Sequence, residues 1–279
     1  MQAIISLLLI VLLVRKGAGV ARDSLAFVEL TEDQLFAVED LVEKHAPLLR
    51  FHDKEGEHDF CYPEDATNYY TTRKGGDWSR MCNMNYSSIL EGDVPTYWHA
   101  MPCQENLHIA YWTFTGYNHK CDGVSGERDA WWEFIVVKVR NWETGPYLAE
   151  VMFGQKKGWY TRIPGHYEVV DGTHPVAYVG RASHGFYHNA GGLNSCCYFD
   201  DLRNSDQYMR TQLNLVELIN NGTGEDWMTD PSVHFWSGIL APTYRDNWDL
   251  CRLLGCDGSF LLICGTCGCH KSDIGDDIF

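Results

Sequence analysis

The chain has 279 residues, 45% of them hydrophobic, with 22 Lys and Arg against 38 Asp and Glu and a net charge of −16. So acidic a surface repels phosphate backbones and anionic headgroups, which excludes nucleic-acid binding and favours cations, neutral glycans or neutral lipids as partners. Composition and length allow one substantial core, and no low-complexity linker divides the sequence.

Residues 4–14 form an apolar run broken only by Ser6, too short to span a bilayer and long enough for the core of a signal peptide. Gly19, Val20 and Ala21 supply the small residues that precede a cleavage site. The expectation is a signal peptide over 1–21 and a single secreted, soluble domain over 22–279. Eleven cysteines follow, at 61, 82, 103, 121, 196, 197, 251, 256, 264, 267 and 269. In an oxidising compartment they read as disulfides, and an odd number leaves one unpaired or joined to another chain as a covalent dimer. Asn85-Tyr86-Ser87 and Asn221-Gly222-Thr223 are glycosylation acceptors, which makes Asn85 and Asn221 candidate modification sites of an extracellular protein.

Thr31 with Gln34 is a capping box, and Leu35, Val38, Leu41, Val42 and His45 recur at helical spacing until Pro47. Beyond this helix the chain alternates short Tyr-, Trp-, Phe- and Val-rich segments with Gly, Asn and Asp. Strands are expected at 107–114, 131–140, 147–153, 167–170 and 175–179, with a hairpin turn at 141–145. A second helix is expected at 204–219 from the partial periodicity of Met209, Leu213, Leu215 and Leu218. The pattern is that of a mostly β protein: a β-sandwich with a short N-terminal helix, several disulfides and a cysteine-rich tail at about 251–270.

Three stretches carry candidate chemistry. On a strand, Glu133 shares a face with Ile135, Val137 and Val139, a costly position unless the carboxylate is paired, hydrogen-bonded or metal-bound. Glu127, Asp129 and Glu133 could offer oxygen ligands to calcium or magnesium; equally, Glu133 could pair with Arg128 or cap a backbone group. Downstream, the 172–188 segment ends in a loop with His184 and His188, either metal ligands, a general base or hydrogen-bonded structural residues. Cys264, Cys267, Cys269 and His270 read as a disulfide knot or a zinc site. Among the aromatics, Gly158-Trp159-Tyr160 is expected as an exposed loop, and with Trp131 it would supply surface for stacking on sugar rings.

In series, five segments resemble the family related to vacuolar protein sorting protein sixty-two. They are His45 through Phe51 with Glu57, Tyr62 and Pro63; Tyr111 through Asn118; Trp131-Trp132-Glu133; His174 through Val179 with Ser183 and His184; and Trp236-Ser237-Gly238. That family in turn is distantly similar to the necrosis-inducing cytolysins of plant pathogens. The likeness implies a secreted β-sandwich that recognises sphingolipid sugar headgroups, with Glu133 as ligand of a divalent metal. Trp131 stands where those cytolysins carry Asp, and the histidines upstream of it in their motif are absent here.

The reading is therefore a secreted, non-enzymatic recognition protein that binds glycan or glycolipid headgroups and touches membranes peripherally. Trp131, Trp159, Tyr160 and His188 would contact the ligand, while Asp129, Glu133 and His184 would hold a divalent cation. The alternatives are a secreted metal-assisted hydrolase with Glu133 or His184 as base, and a disulfide-linked extracellular structural protein.

Overall fold

The computed structural model describes residues 30–52, 61–74, 81–118, 128–155, 158–181, 183–192, 202–203, 207–218, 226–229, 234–235, 239–245 and 248–253. Helices are α1 (Glu32–His45), α2 (Ala66–Lys74), α3 (Tyr86–Leu90), α4 (Asp226–Thr229) and α5 (Leu250–Leu253). The strands are β1 (Leu48–Phe51), β2 (Thr96–Cys103), β3 (Asn106–Asn118), β4 (Arg128–Arg140), β5 (Tyr147–Gln155), β6 (Gly158–Arg162) and β7 (Val169–Val170). They continue with β8 (His174–Val179), β9 (Phe186–Tyr187), β10 (Gln207–Arg210), β11 (Leu215–Glu217), β12 (His234–Phe235) and β13 (Ile239–Leu240).

Two mixed sheets form the sandwich. One runs β10-β1-β8-β7 with β9 on β8, and the other runs β11-β2-β3-β4-β5-β6. The six-stranded sheet is buried on both faces, which explains the nearly unbroken apolar run of β4. Its odd-numbered β4 residues Ile135, Val137 and Val139 join Leu107, Ile109 and Tyr111 in a core shared with Leu49, Phe51, Ala177 and Val179 of the other sheet. The even-numbered Trp132, Phe134 and Val136 face a second, aromatic core with Trp112, Phe114 and Tyr97, covered by Tyr69 of α2 and Trp227 of α4.

The capping box of α1 forms as its sequence dictates: Gln34 N donates to Thr31 Oγ1 (3.2 Å) and Thr31 N to Gln34 Oε1 (2.9 Å). Its buried stripe is Val38, Leu41, Val42 and His45, whereas Leu35, expected on that stripe, is half exposed. The helix expected at 204–219 is instead β10, a 3-10 turn at Thr211–Leu213 and β11. Pairing decides this: Met209 lies opposite Leu49 in β1, and Leu215 opposite Thr96 in β2, so each strand completes the edge of a different sheet. Of the strand expected at 167–170 only Val169–Val170 forms. The 141–145 turn closes β4 onto β5, with Asn141 in the left-handed region (φ +50°) and its carbonyl accepting from the Thr144 and Gly145 amides.

Two disulfides stand among the described residues, Cys61–Cys82 and Cys103–Cys251. The second ties α5 to β2, where two histidines help. Nδ1 of His108 meets the Leu250 carbonyl (3.0 Å), and Nε2 of His99 meets that of Trp248 (3.0 Å). The remaining cysteines, the 264–270 cluster and the signal-peptide segment lie outside the described residues, as do Glu127, Asn221 and the 236–238 motif.

Candidate functional site

One end of the sandwich gathers most of the residues singled out above. Antiparallel pairing puts the end of β3, the start of β4, the end of β5 and the start of β6 side by side. The 180–188 loop closes over them: β9 packs on β4 and β5, and Gln155 Nε2 donates to the Phe186 carbonyl at 3.3 Å.

Glu133 sits opposite Thr113 on β3 and is buried, on the same face as Ile135. Its Oε1 accepts a hydrogen bond from Trp131 Nε1 at 2.6 Å. A carboxylate on an apolar face needs such donors, because burial without them costs a few kcal/mol. The strand is kinked just upstream. Ala130 is left-handed (φ +63°), a conformation costing a non-glycine residue roughly 1 kcal/mol, and it lies between the pairs Thr115–Trp131 and Tyr117–Asp129. The kink leaves Asp129 partly exposed while Trp131 turns inward.

Trp131 was expected as stacking surface and is not; it is 4% exposed. Above it, Arg245 lies with its guanidinium 5.6 Å from the Trp131 ring centre and donates from Nη1 to the Trp132 carbonyl (2.9 Å). The expected loop at 158–160 is the start of β6, an edge strand held by the Phe153–Tyr160 and Gly154–Trp159 pairs. Tyr160 is buried there, stacked on Phe153 at 5.5 Å. Trp159, on the opposite face, is partly exposed, so of the three aromatics it alone reaches solvent appreciably.

His188 is buried against Tyr160. The tyrosine hydroxyl accepts the His188 amide (3.0 Å) and lies 3.0 Å from His188 Nδ1, so this histidine is a packing partner rather than an open ligand group. His184 is also buried, and left-handed (φ +56°) in a turn where its amide donates to the Gly180 carbonyl (2.8 Å). Strain of this kind at a loop clusters at binding sites. Beside it Ser183 Oγ accepts from the Gly185 amide (3.0 Å).

A calcium or magnesium ion demands about six or more oxygen ligands. Among the described residues no three His, Cys, Asp or Glu side chains gather, and the nearest neighbour of the Glu133 carboxylate on its own strand is an indole donor. The described residues therefore do not fit a divalent cation at Glu133. Gln155, Thr113 and Arg245 were not singled out from the sequence. Only strand register could have pointed to the first two, and nothing local marks the third.

Two stacked mixed sheets with this strand order and helices over the outer face make a β-sandwich, and comparison with solved structures finds proteins of the same fold. The structure of NLPPya in complex with glucosamine superposes with a TM-score of 0.50 at 15% identity, over 78% of this chain and 89% of that one. A triple mutant of NLPPya gives the same TM-score and identity. A Necrosis and Ethylene inducing Protein 2, from the causal agent of cocoa's Witches Broom disease, matches 72% of this chain at 15% identity with a TM-score of 0.45. At such identities the likeness is one of fold. No protein-family model matches the chain, and no curated protein does.

Proposed function

We propose that this chain is an exported, cytolysin-like recognition protein that binds glycan or glycolipid headgroups at the β3–β6 end of the sandwich. The observation that carries the reading is that this end of the sandwich presents a partly exposed indole, Trp159, on one face of the sheet and a buried polar floor of Glu133, Gln155 and His184 on the other, with Asp129 partly exposed at the same end. Stacking and hydrogen bonds to hydroxyls are what neutral sugars need. A neighbour of the same fold holding glucosamine supports it. Export through residues 1–21, glycosylation at Asn85 and Asn221, peripheral membrane contact and kinship with the vacuolar-sorting family belong to the same proposal. A divalent cation does not, since the described residues do not fit one.

The test is titration of the purified secreted chain with glucosamine, with a panel of neutral glycans, and with phosphatidylcholine vesicles with and without glycosphingolipid. Binding to sugar-bearing targets that is lost in Trp159→Ala, with an unchanged melting temperature, supports the reading. Absence of binding to every sugar and vesicle defeats it.

A further inference from the structure

Glu64 stands away from this polar floor, at the other edge of β3. Its amide donates to the Phe114 carbonyl (2.8 Å), so the chain just before α2 takes the place beside β3 that β2 leaves vacant beyond Trp112. Its carboxyl is buried against Gly116 and accepts from the Gly116 amide. A side chain at position 116 would collide with Glu64 Oε1, and would also come within 2.7 Å of the Met81 carbonyl oxygen. The glycine therefore makes the room that the carboxyl uses. Oε1 itself is buried with no hydrogen-bond partner, and it and the Met81 carbonyl oxygen both border the position a side chain on Gly116 would occupy.

Two oxygens close to one position are compatible when a proton lies between them and repel when the carboxyl is ionised. We propose that Glu64 is a proton-operated latch: protonated, it joins the Met81 carbonyl and holds the disulfide-bracketed α2 segment on the end of β3; ionised, it loosens that segment. Several links converge on the segment. Cys61 is bonded to Cys82, Tyr62 bridges Asn83, and Asn83 Nδ2 donates to the Pro63 carbonyl (2.6 Å). Its α2 seals the aromatic core, with Tyr69 edge-on to Phe114 at 5.0 Å and Trp227 Nε1 donating to Thr67 Oγ1 (3.1 Å).

The charged and titratable groups around Glu64 come from α2, from Asp65 just before it and from β4. Arg73 on α2 favours the ionised form and adjacent Asp65 opposes it, while Tyr69 feels Glu64, Arg73 and Asp129 of β4 together. Burial outweighs them all and lifts Glu64 to about 7. A carboxyl raised in the folded state stabilises fully below its ordinary value near 4.5 and loses that contribution as pH rises through 7. The latch is therefore closed in acid and released in mildly alkaline solution.

Hydrogen–deuterium exchange of the full secreted chain at pH 5.5 and 8.0, corrected for intrinsic rates, reads the latch directly. Peptides from 61–74 and 113–118 should exchange about tenfold faster at the higher pH, with a midpoint near 7, while the 135–153 hairpin stays unchanged. In Glu64→Gln the amide can donate to Met81 and its oxygen accept from Gly116 at every pH, so the difference should vanish and the closed rate persist. A pH effect that survives in Glu64→Gln overturns the latch. Equal exchange at both pH values in the unmodified chain overturns it too, whether or not the variant folds.

Discussion

Trp131 Nε1 donates to Glu133 Oε1 at 2.6 Å, between two side chains on the same face of one strand. The bond turns an acid on an apolar strand face into a satisfied buried group, and it draws inward an indole that would otherwise lie open at the mouth of the sandwich. One bond thus fixes both the acid and the limit of the aromatic surface.

Trp131→Phe keeps the ring and removes the donor. The expected cost is about 1–3 kcal/mol, the penalty for taking a partner from a buried acceptor. Urea melts of Trp131→Phe, Glu133→Gln and the double variant measure it. The double variant should lose clearly less than the two single losses added together, because both act on one bond. Strict additivity would show that the bond contributes nothing.

The Thr31–Gln34 capping box, the 141–145 hairpin and the β3–β5 strands were legible because each is set by nearby residues: a cap, a turn residue, an apolar run. What misled was context. Met209 through Leu218 have a partly helical apolar spacing, yet β1 and β2 each lacked an edge partner, and sheet pairing prevailed over local pattern. The placement of Glu133 on the face of Ile135 followed from strand alternation alone. Its partner did not, since Trp131 satisfies it only after Ala130 takes a left-handed turn that no apolar pattern encodes. The turn residues beside Trp159 and Tyr160 predict a loop. Pairing with β5 made them a strand, which buries one ring and leaves the other partly open.

Chelation tests the cation directly. With no three His, Cys, Asp or Glu side chains gathered among the described residues, the response of the melting temperature to EDTA should be the same in the parent chain and in Glu133→Gln. An ion bound only to the folded state would add roughly 2.7 kcal/mol at a hundredfold excess over its dissociation constant. A fall of several degrees on chelation in the parent that Glu133→Gln abolishes would therefore reinstate a metal at Glu133.

Two glycines give a matched pair for the close approach of β5 to β4. A methyl at Gly154 would meet the Phe134 carbonyl and, at 3.1 Å, its ring, whereas one at Gly145 meets nothing within 4 Å. Gly154→Ala should destabilise by about 1–3 kcal/mol, as overpacking does, and Gly145→Ala should stay within about 0.5 kcal/mol of the parent. Equal denaturation midpoints for the two would mean that β5 yields freely, contrary to the packing.

Acid should act through His99. Trp112 Nε1 donates to its Nδ1 (3.2 Å), and an indole nitrogen only donates, so Nδ1 is the accepting nitrogen and Nε2 carries the proton given to the Trp248 carbonyl. A second proton would set an N–H against the Trp112 N–H. Burial pushes His99 down to about 3 from 6.5, only partly offset by the Trp248 carbonyl, and His45 and His108 are lowered by burial as well. Between 6.5 and 3 the unfolded chain binds the proton that folded His99 refuses, so stability rises with pH there and is lost on acidification. The slope reaches at most about 1.4 kcal/mol per pH unit for each such group. Glu64, raised to about 7, pulls the other way above 4.5, so the two effects oppose one another between 4.5 and 6.5. Urea midpoints taken from pH 3.5 to 8 on the parent and on His99→Asn separate them. The variant should be less stable at neutral pH and show a shallower acid slope. An undiminished slope would assign the acid lability to His45 and His108 instead.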